Sequence, residues 1–167
     1  MDLLIGAGNS REKKLGGGTW GDLVTLDIDP ATKPDVVWDL NHLPLPFESH
    51  AFAEIHAYDV LEHTGRLGDW RFFFSQWDEF WRLLVPGGRL WAKVPRHDTV
   101  WAWGDPGHTR VIQKEQLVFL HRPAYAQVGK TPMTDYRPFF RGDWDVAYEA
   151  DATCLMLCLT AVKPARG

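Results

Sequence analysis

Thiols are scarce in this chain of 167 residues: Cys154 and Cys158 are its only two. They stand four apart in an apolar, strand-like run, where ~3.3 Å per residue would separate them by about 13 Å, too far for a disulfide. They are expected to be buried, space-filling thiols. Long hydrophobic runs are missing as well. Nothing approaches the roughly 20 apolar residues that cross a bilayer, and the first residues enter a strand pattern without a basic-plus-apolar leader. A cytoplasmic location and no membrane partner are the expectation. Basic runs are absent: the net charge is −4, with acids concentrated before position 89 and a mild basic excess after it. Nucleic acid is therefore disfavoured as a partner. A metal set of His97, Asp98 and His108 is conceivable, but no two of these show an i, i+4 ligand spacing, so no metal is expected. Internal repeats and low-complexity segments are also lacking.

What is present fits one α/β domain over residues 1–167. A 45% hydrophobic and 24% charged composition is that of a globular chain, and the length suffices for a full core. Nine tryptophans are many; Trp70, Trp77, Trp81 and Trp91 fall in or beside an expected helix and strand and are read as core.

The first organising feature is Leu3-Leu4-Ile5-Gly6-Ala7-Gly8-Asn9-Ser10. An apolar run that ends in Gly-x-Gly reads as a buried parallel strand feeding a tight turn over which a ligand can approach the backbone. In an open α/β sheet, the crevice beyond such a strand is the place for a nucleotide-like ligand. The following stretch is short and closes in Gly16-Gly17-Gly18, so one or two helical turns are the most it can form.

Leu23-Val24-Thr25-Leu26-Asp27-Ile28-Asp29-Pro30 reads as the second strand. Asp27 falls about 20 residues after the turn, the spacing of a carboxylate that accepts from ribose hydroxyls. Asp35-Val36-Val37-Trp38-Asp39-Leu40 is a short third strand, and residues 52–63 give a fourth that runs into a loop or helix start. Residues 69–85 form the clearest helix, with Trp70, Phe73, Phe74, Trp77, Phe80, Trp81 and Leu84 on one face, Asp69 as N-cap and Pro86-Gly87-Gly88 as stop. A fifth strand covers 89–95. Residues 96–140 are irregular, with one short helix around 113–121. Strands over 143–150 and 153–162 close the chain as an antiparallel hairpin. The expected fold is Rossmann-like and doubly wound, mostly parallel with a C-terminal antiparallel hairpin and trimmed helices.

This series resembles a class I S-adenosylmethionine-dependent methyltransferase, and within that class the small type 11 methyltransferase-domain group. The resemblance rests on Leu4-Ile5-Gly6-Ala7-Gly8-Asn9-Ser10, Leu26-Asp27-Ile28-Asp29-Pro30, Asp35-Val36-Val37-Trp38-Asp39-Leu40, Leu45-Pro46-Phe47 and Val60-Leu61-Glu62-His63. Leu83-Leu84-Val85-Pro86-Gly87-Gly88-Arg89-Leu90 and Asp105-Pro106-Gly107-His108-Thr109-Arg110 extend it, so that most of residues 3–122 are covered. It implies S-adenosyl-L-methionine as cofactor: Gly6, Ala7 and Gly8 under the methionine part, Asp27 on the ribose, Asp39 and Leu40 by the adenine, and Tyr58 and Asp59 flooring the transferable methyl. The chain departs from the family pattern at Leu4, where an acid is usual, and at Ser10, where a third glycine is usual.

Methyl transfer from a sulfonium needs alignment and exclusion of water, and a base if the acceptor is a hydroxyl or amine. Asp59, His63, His97 and His108 are the candidates, placed by sequence after the fourth and fifth strands and in the irregular segment. His42, His50, His56 and His121 read as ordinary surface or core histidines. Trp101, Trp103, Tyr125, Tyr136 and Phe139 are either an aromatic wall for the acceptor or the packing of a loop-rich lid. A small-molecule acceptor is expected, since both the Asn/Asp-Pro-Pro-Tyr signature and a Pro-Cys nucleophile are missing. A methyltransferase acting on a macromolecule and a non-catalytic module of the same fold remain as alternatives.

Overall fold

A computed structural model describes residues 1–167 as one seven-stranded sheet. Its strands are β1 (Asp2–Ile5), β2 (Leu23–Asp27), β3 (Val36–Val37), β4 (Phe52–Tyr58), β5 (Leu84–Pro95), β6 (Trp144–Ala150) and β7 (Cys154–Ala161), with helices α1 (Trp70–Leu83) and α2 (Val100–Trp103). The order across the sheet is β3-β2-β1-β4-β5-β7-β6. All pairings from β3 to β5 are parallel, and β7 runs antiparallel to both β5 and β6. The mostly parallel sheet with a closing antiparallel hairpin is thus as expected. Chain order reverses between β1 and β4, which opens a crevice at the carboxyl ends of the strands.

Strand alternation divides the sheet into two faces of different character. Leu3, Ile5, Leu26, Ile55, Ala57, Leu90, Ala92, Val94, Leu155, Leu157 and Leu159 point to one side and join the main core. Helix α1 lies on that side and contributes Phe74, Trp77, Phe80 and Leu83 at a spacing of three, one buried stripe. Asp69 caps it, its carboxylate accepting from the Phe72 amide at 3.0 Å. Ile112, Leu117, Leu120, Phe140 and Trp144 from the segment after β5 fill the same core. The short helix expected near 113–121 is a 3-10 helix, Lys114–Leu120.

The opposite face carries no helix. Residues 6–22 cross it as a strap, and the one or two helical turns expected there do not form. Gly16, Gly17 and Gly18 all have positive φ, which a right-handed helix cannot use. Side chains hold the strap instead. Arg11 donates to the Gly8 carbonyl at 2.7 Å and to that of Thr32 at 3.0 Å. Trp20 Nε1 donates to the Arg11 carbonyl at 2.6 Å, and Lys13 pairs with Glu54 at 2.6 Å.

Strand β5 begins earlier than the sequence suggests. The helix ends at Leu83, short of the expected 85, and Pro86-Gly87-Gly88 lies within β5 and is not the helix stop: Leu84 already pairs with Phe52, and the extra residues are absorbed in a register shift before Glu54 pairs with Arg89. Trp77 and Trp144 are fully buried, while Trp70, Trp81 and Trp91 are only partly so.

Candidate active site

The turn after β1 is fixed by what lies above and beside it. Gly6 has φ +61°, and a Cβ there would sit 2.3 Å from Cγ2 of Val60, so only glycine fits. The Ala7 amide donates to the Leu26 carbonyl at 3.3 Å. The Gly8 amide donates to Asp27 Oδ2 at 2.7 Å, and the Asp29 amide to Asp27 Oδ1 at 2.9 Å. Asp27 therefore locks the glycine turn onto the end of β2 while lining the crevice. Each of its oxygens keeps a second lone pair for a ligand hydroxyl.

Two clefts open along the carboxyl ends of the strands. One, of about 390 Å³, is lined by Gly6, Asp27, Ile28, Asp39, Leu40 and Asn41 with Asp59, Val60, His63 and Thr64. The other, of about 770 Å³, lies beyond β4 and β5 and is lined by Asp59, Glu62, His63, Trp101, Asp105, His108 and Cys154 among others. Both volumes fall within the roughly 300–1,000 Å³ of ligand pockets. Asp59 and His63 belong to both linings.

In the first cleft, Asp39 Oδ1 accepts from the Asn41 amide and side chain, both at 2.9 Å. The Leu40 amide meets no acceptor within the protein and is free for a ligand. Ile28, 64% exposed, offers an apolar wall beside Asp27 that the sequence reading overlooked. Ala7 and Gly8 shape the turn without lining the cleft. Tyr58 is elsewhere: alternation within β4 sends it to the strap face, where its hydroxyl accepts from the Lys14 and Leu15 amides at 3.2 Å each and lies 2.6 Å from His56 Nδ1. It holds the strap and lines neither cleft, contrary to the expectation that it floors the transferable methyl.

At the shared wall, Asp59 adopts φ +53° and pairs with Lys93 Nζ at 2.9 Å. Glu62 and His63 follow on a 3-10 turn (Leu61–His63) that puts Glu62 inward and His63 outward. Glu62 is only 3% exposed, and neither carboxylate oxygen has a hydrogen-bond partner. Burial pushes its carboxyl up to about 7, and the Asp59 charge adds to the shift. His63 Nδ1 lies 3.1 Å from the Gly107 carbonyl. His108 Nε2 lies 4.0 Å from Glu62 Oε1 and 3.8 Å from Asp105 Oδ2. Below them Arg110 is buried and bonded to the Leu61 carbonyl, Thr64 Oγ1 and Gln76 Oε1; burial lowers its pKa to about 10.

His97 stands apart, in a separate hollow with Arg96, Lys114 and Tyr148. Asp98 is committed to Arg96. His108 is thus drawn to Glu62 and His63, and the His97–Asp98–His108 set does not assemble. The aromatic wall also divides. Trp101 faces the larger cleft, Tyr125 is buried, and Tyr136 and Phe139 pack against Trp70. Glu62 is the residue whose position sequence reasoning missed, because nothing in Val60-Leu61-Glu62-His63 tells which side chain turns inward.

No family model matches the chain, and no curated protein does. Solved structures do match. A SAM-dependent methyltransferase from Archaeoglobus fulgidus aligns with a TM-score of 0.59 and 12% identity, over 95% of this chain and 85% of its own. The N-methyltransferase NodS from Bradyrhizobium japonicum WM9 gives 0.53 and 15% over 97% and 85%. A 16S rRNA (adenine(1408)-N(1))-methyltransferase from Catenulisporales acidiphilia gives 0.53 and 14% over 99% and 86%. At such identities the likeness is one of fold, and the fold is that of S-adenosylmethionine-dependent methyltransferases.

Proposed function

We propose that this chain is an S-adenosyl-L-methionine-dependent methyltransferase acting on a small molecule, and that it belongs with the type 11 methyltransferase-domain group that its motifs resemble. The carrying observation is that two clefts of ligand size meet at Asp59 and His63, one built on the glycine turn and Asp27, the other on Glu62, His108 and Trp101. The smaller cleft is assigned to the cofactor. Gly6 keeps the turn open, Asp27 accepts from the ribose hydroxyls, and Asp39 and the free Leu40 amide flank the adenine. When bound, S-adenosylmethionine supplies an electrophilic methyl group on a sulfonium.

The larger cleft is assigned to the acceptor. Trp101 is exposed enough at 64% to stack on it, and residues 96–140 make the acceptor-side insertion. Asp59 is tied to Lys93 and serves to position, so proton removal falls to the Glu62, His63 and His108 group. The non-catalytic alternative draws on one observation, that both Asp27 oxygens already accept from backbone amides.

Calorimetric titration with S-adenosylhomocysteine tests the cofactor assignment. Wild type is expected to bind in the micromolar range and Asp27→Ala at least about tenfold more weakly, the worth of roughly one charged hydrogen bond. No heat at millimolar ligand would sink the reading. Acceptor screening for S-adenosylhomocysteine release then separates an enzyme from a binding module.

A further inference from the structure

We propose that Glu62, His63 and His108 bind a divalent transition-metal ion of the zinc type, with its open coordination position facing the larger cleft. Their ligand atoms all lie within 4.8 Å of one another. Two separate features of the cluster point to a cation.

The first is Glu62, a carboxylate 3% exposed with both oxygens unpartnered. Buried polar groups are almost always bonded, and an orphan of this kind marks a missing partner. The second is the orientation of the two histidines. His63 Nδ1 lies 3.1 Å from the Gly107 carbonyl and His108 Nδ1 3.3 Å from that of Ala102. A carbonyl only accepts, so each Nδ1 carries the hydrogen, and in the neutral tautomer this selects, Nε2 is the nitrogen left to bind a metal. That is the outer-shell arrangement of metal-ligating histidines. The charges around the cluster nearly balance: Asp59 is paired with Lys93, Asp105 lies 3.8 Å from His108, and the buried Arg110 is bonded to the neutral groups of Leu61, Thr64 and Gln76.

Two imidazoles and one carboxylate, with a fourth position open, are a zinc donor set of the catalytic type, and the nitrogens disfavour magnesium and calcium. Metal–ligand bonds of about 2.1 Å place tetrahedral neighbours about 3.4 Å apart. The 4.0 Å between His108 Nε2 and Glu62 Oε1 closes to that with a small side-chain rotation. The ion's role rests on the methyltransferase reading: with Glu62, His63 and His108 engaged as ligands, the ion would take over from them as bases, selecting acceptors whose hydroxyl or phenol oxygen can fill the open position and lowering that oxygen's pKa so that its proton passes to water.

The test uses the full chain dialysed against a chelator, then titrated with Zn²⁺ by calorimetry and with Co²⁺ by visible absorption. One ion per chain is expected, with the intense d–d bands of a four-coordinate Co²⁺ site. Glu62→Gln, His108→Ala and His63→Ala should each weaken binding at least tenfold; His63→Ala, at an exposed residue, keeps the test valid if Glu62→Gln fails to fold. Absence of a stoichiometric ion, or unchanged affinity in His63→Ala or His108→Ala, overturns the site. S-adenosylhomocysteine binding is measured alongside. Its failure counts against the methyltransferase reading alone, and His108→Ala, which lines only the larger cleft, should retain it.

Discussion

Glu62 is the residue at which the structure departs most from what its neighbours would suggest. A surface glutamate after a strand is commonplace; one sealed from water without a hydrogen bond is not. Its carboxyl, pushed by burial from 4.5 to about 7, makes the metal-free protein lose stability as pH rises. The unfolded chain releases the proton near 4.5 and the folded chain only near 7, so between these values the folded state binds more protons and is progressively penalised. At about 1.4 kcal/mol per unit, the penalty above pH 7 is on the order of 3 kcal/mol. Glu62→Gln in chelator-treated protein should therefore be the more stable at pH 8 and match wild type near pH 4, as read by urea unfolding at each pH. A wild-type protein as stable at pH 8 as at pH 5 would contradict this.

Among the elements, the strap over residues 6–22 stands where a helix would normally back the glycine turn. It is anchored by single side chains, so its order depends on few bonds. Arg11 bridges the Gly8 and Thr32 carbonyls and so links the turn after β1 to the loop after β2. Arg11→Ala should raise amide exchange across residues 8–20 by about tenfold or more, since local opening is set by local bonds. Global stability should change little, because the main core does not include the strap. Exchange confined to other segments would show that the strap is held by something else. Helix α1 is the contrasting case: its buried stripe of Phe74, Trp77, Phe80 and Leu83 is part of the main core.

At the scale of the whole molecule, a single buried carboxylate joins three distant stretches. Asp143, 0% exposed, accepts from the Arg122 amide and from the amide and guanidinium of Arg166. Burial alone would raise its pKa, but the Arg166 guanidinium and those amides outweigh it and hold the carboxyl below its ordinary value. The contribution is complete above the unfolded pKa near 4 and is lost as pH falls through the lower folded value. Asp143→Asn should cost about 2–3 kcal/mol at neutral pH, the scale of charged hydrogen bonds lost. Chemical denaturation at pH 7 and pH 3 checks it: the gap between variant and wild type should narrow at the lower pH.

Much of the fold was legible along the chain because its signals are local. Apolar runs ending in Gly6-Ala7-Gly8 and at Asp27, the three-and-four spacing of α1 with its Asp69 cap, and the short link between β6 and β7 each depend on neighbours in sequence. They sufficed for the strand series and for a glycine turn set against Asp27, while Asp39 and Leu40 are added by the family resemblance; Gly6, Asp27, Asp39 and Leu40 line one cleft, and Ala7, Gly8 and Tyr58 do not. What only the tertiary structure decided is which way side chains turn and which distant loops meet. Alternation within β4 removed Tyr58 to the far face, a register shift moved the start of β5, and the path of residues 96–110 carried His108 to Glu62 and His63 while leaving His97 outside. Such contacts join residues more than thirty positions apart. No periodicity or spacing encodes them, because they are set by how loops pack once the sheet exists.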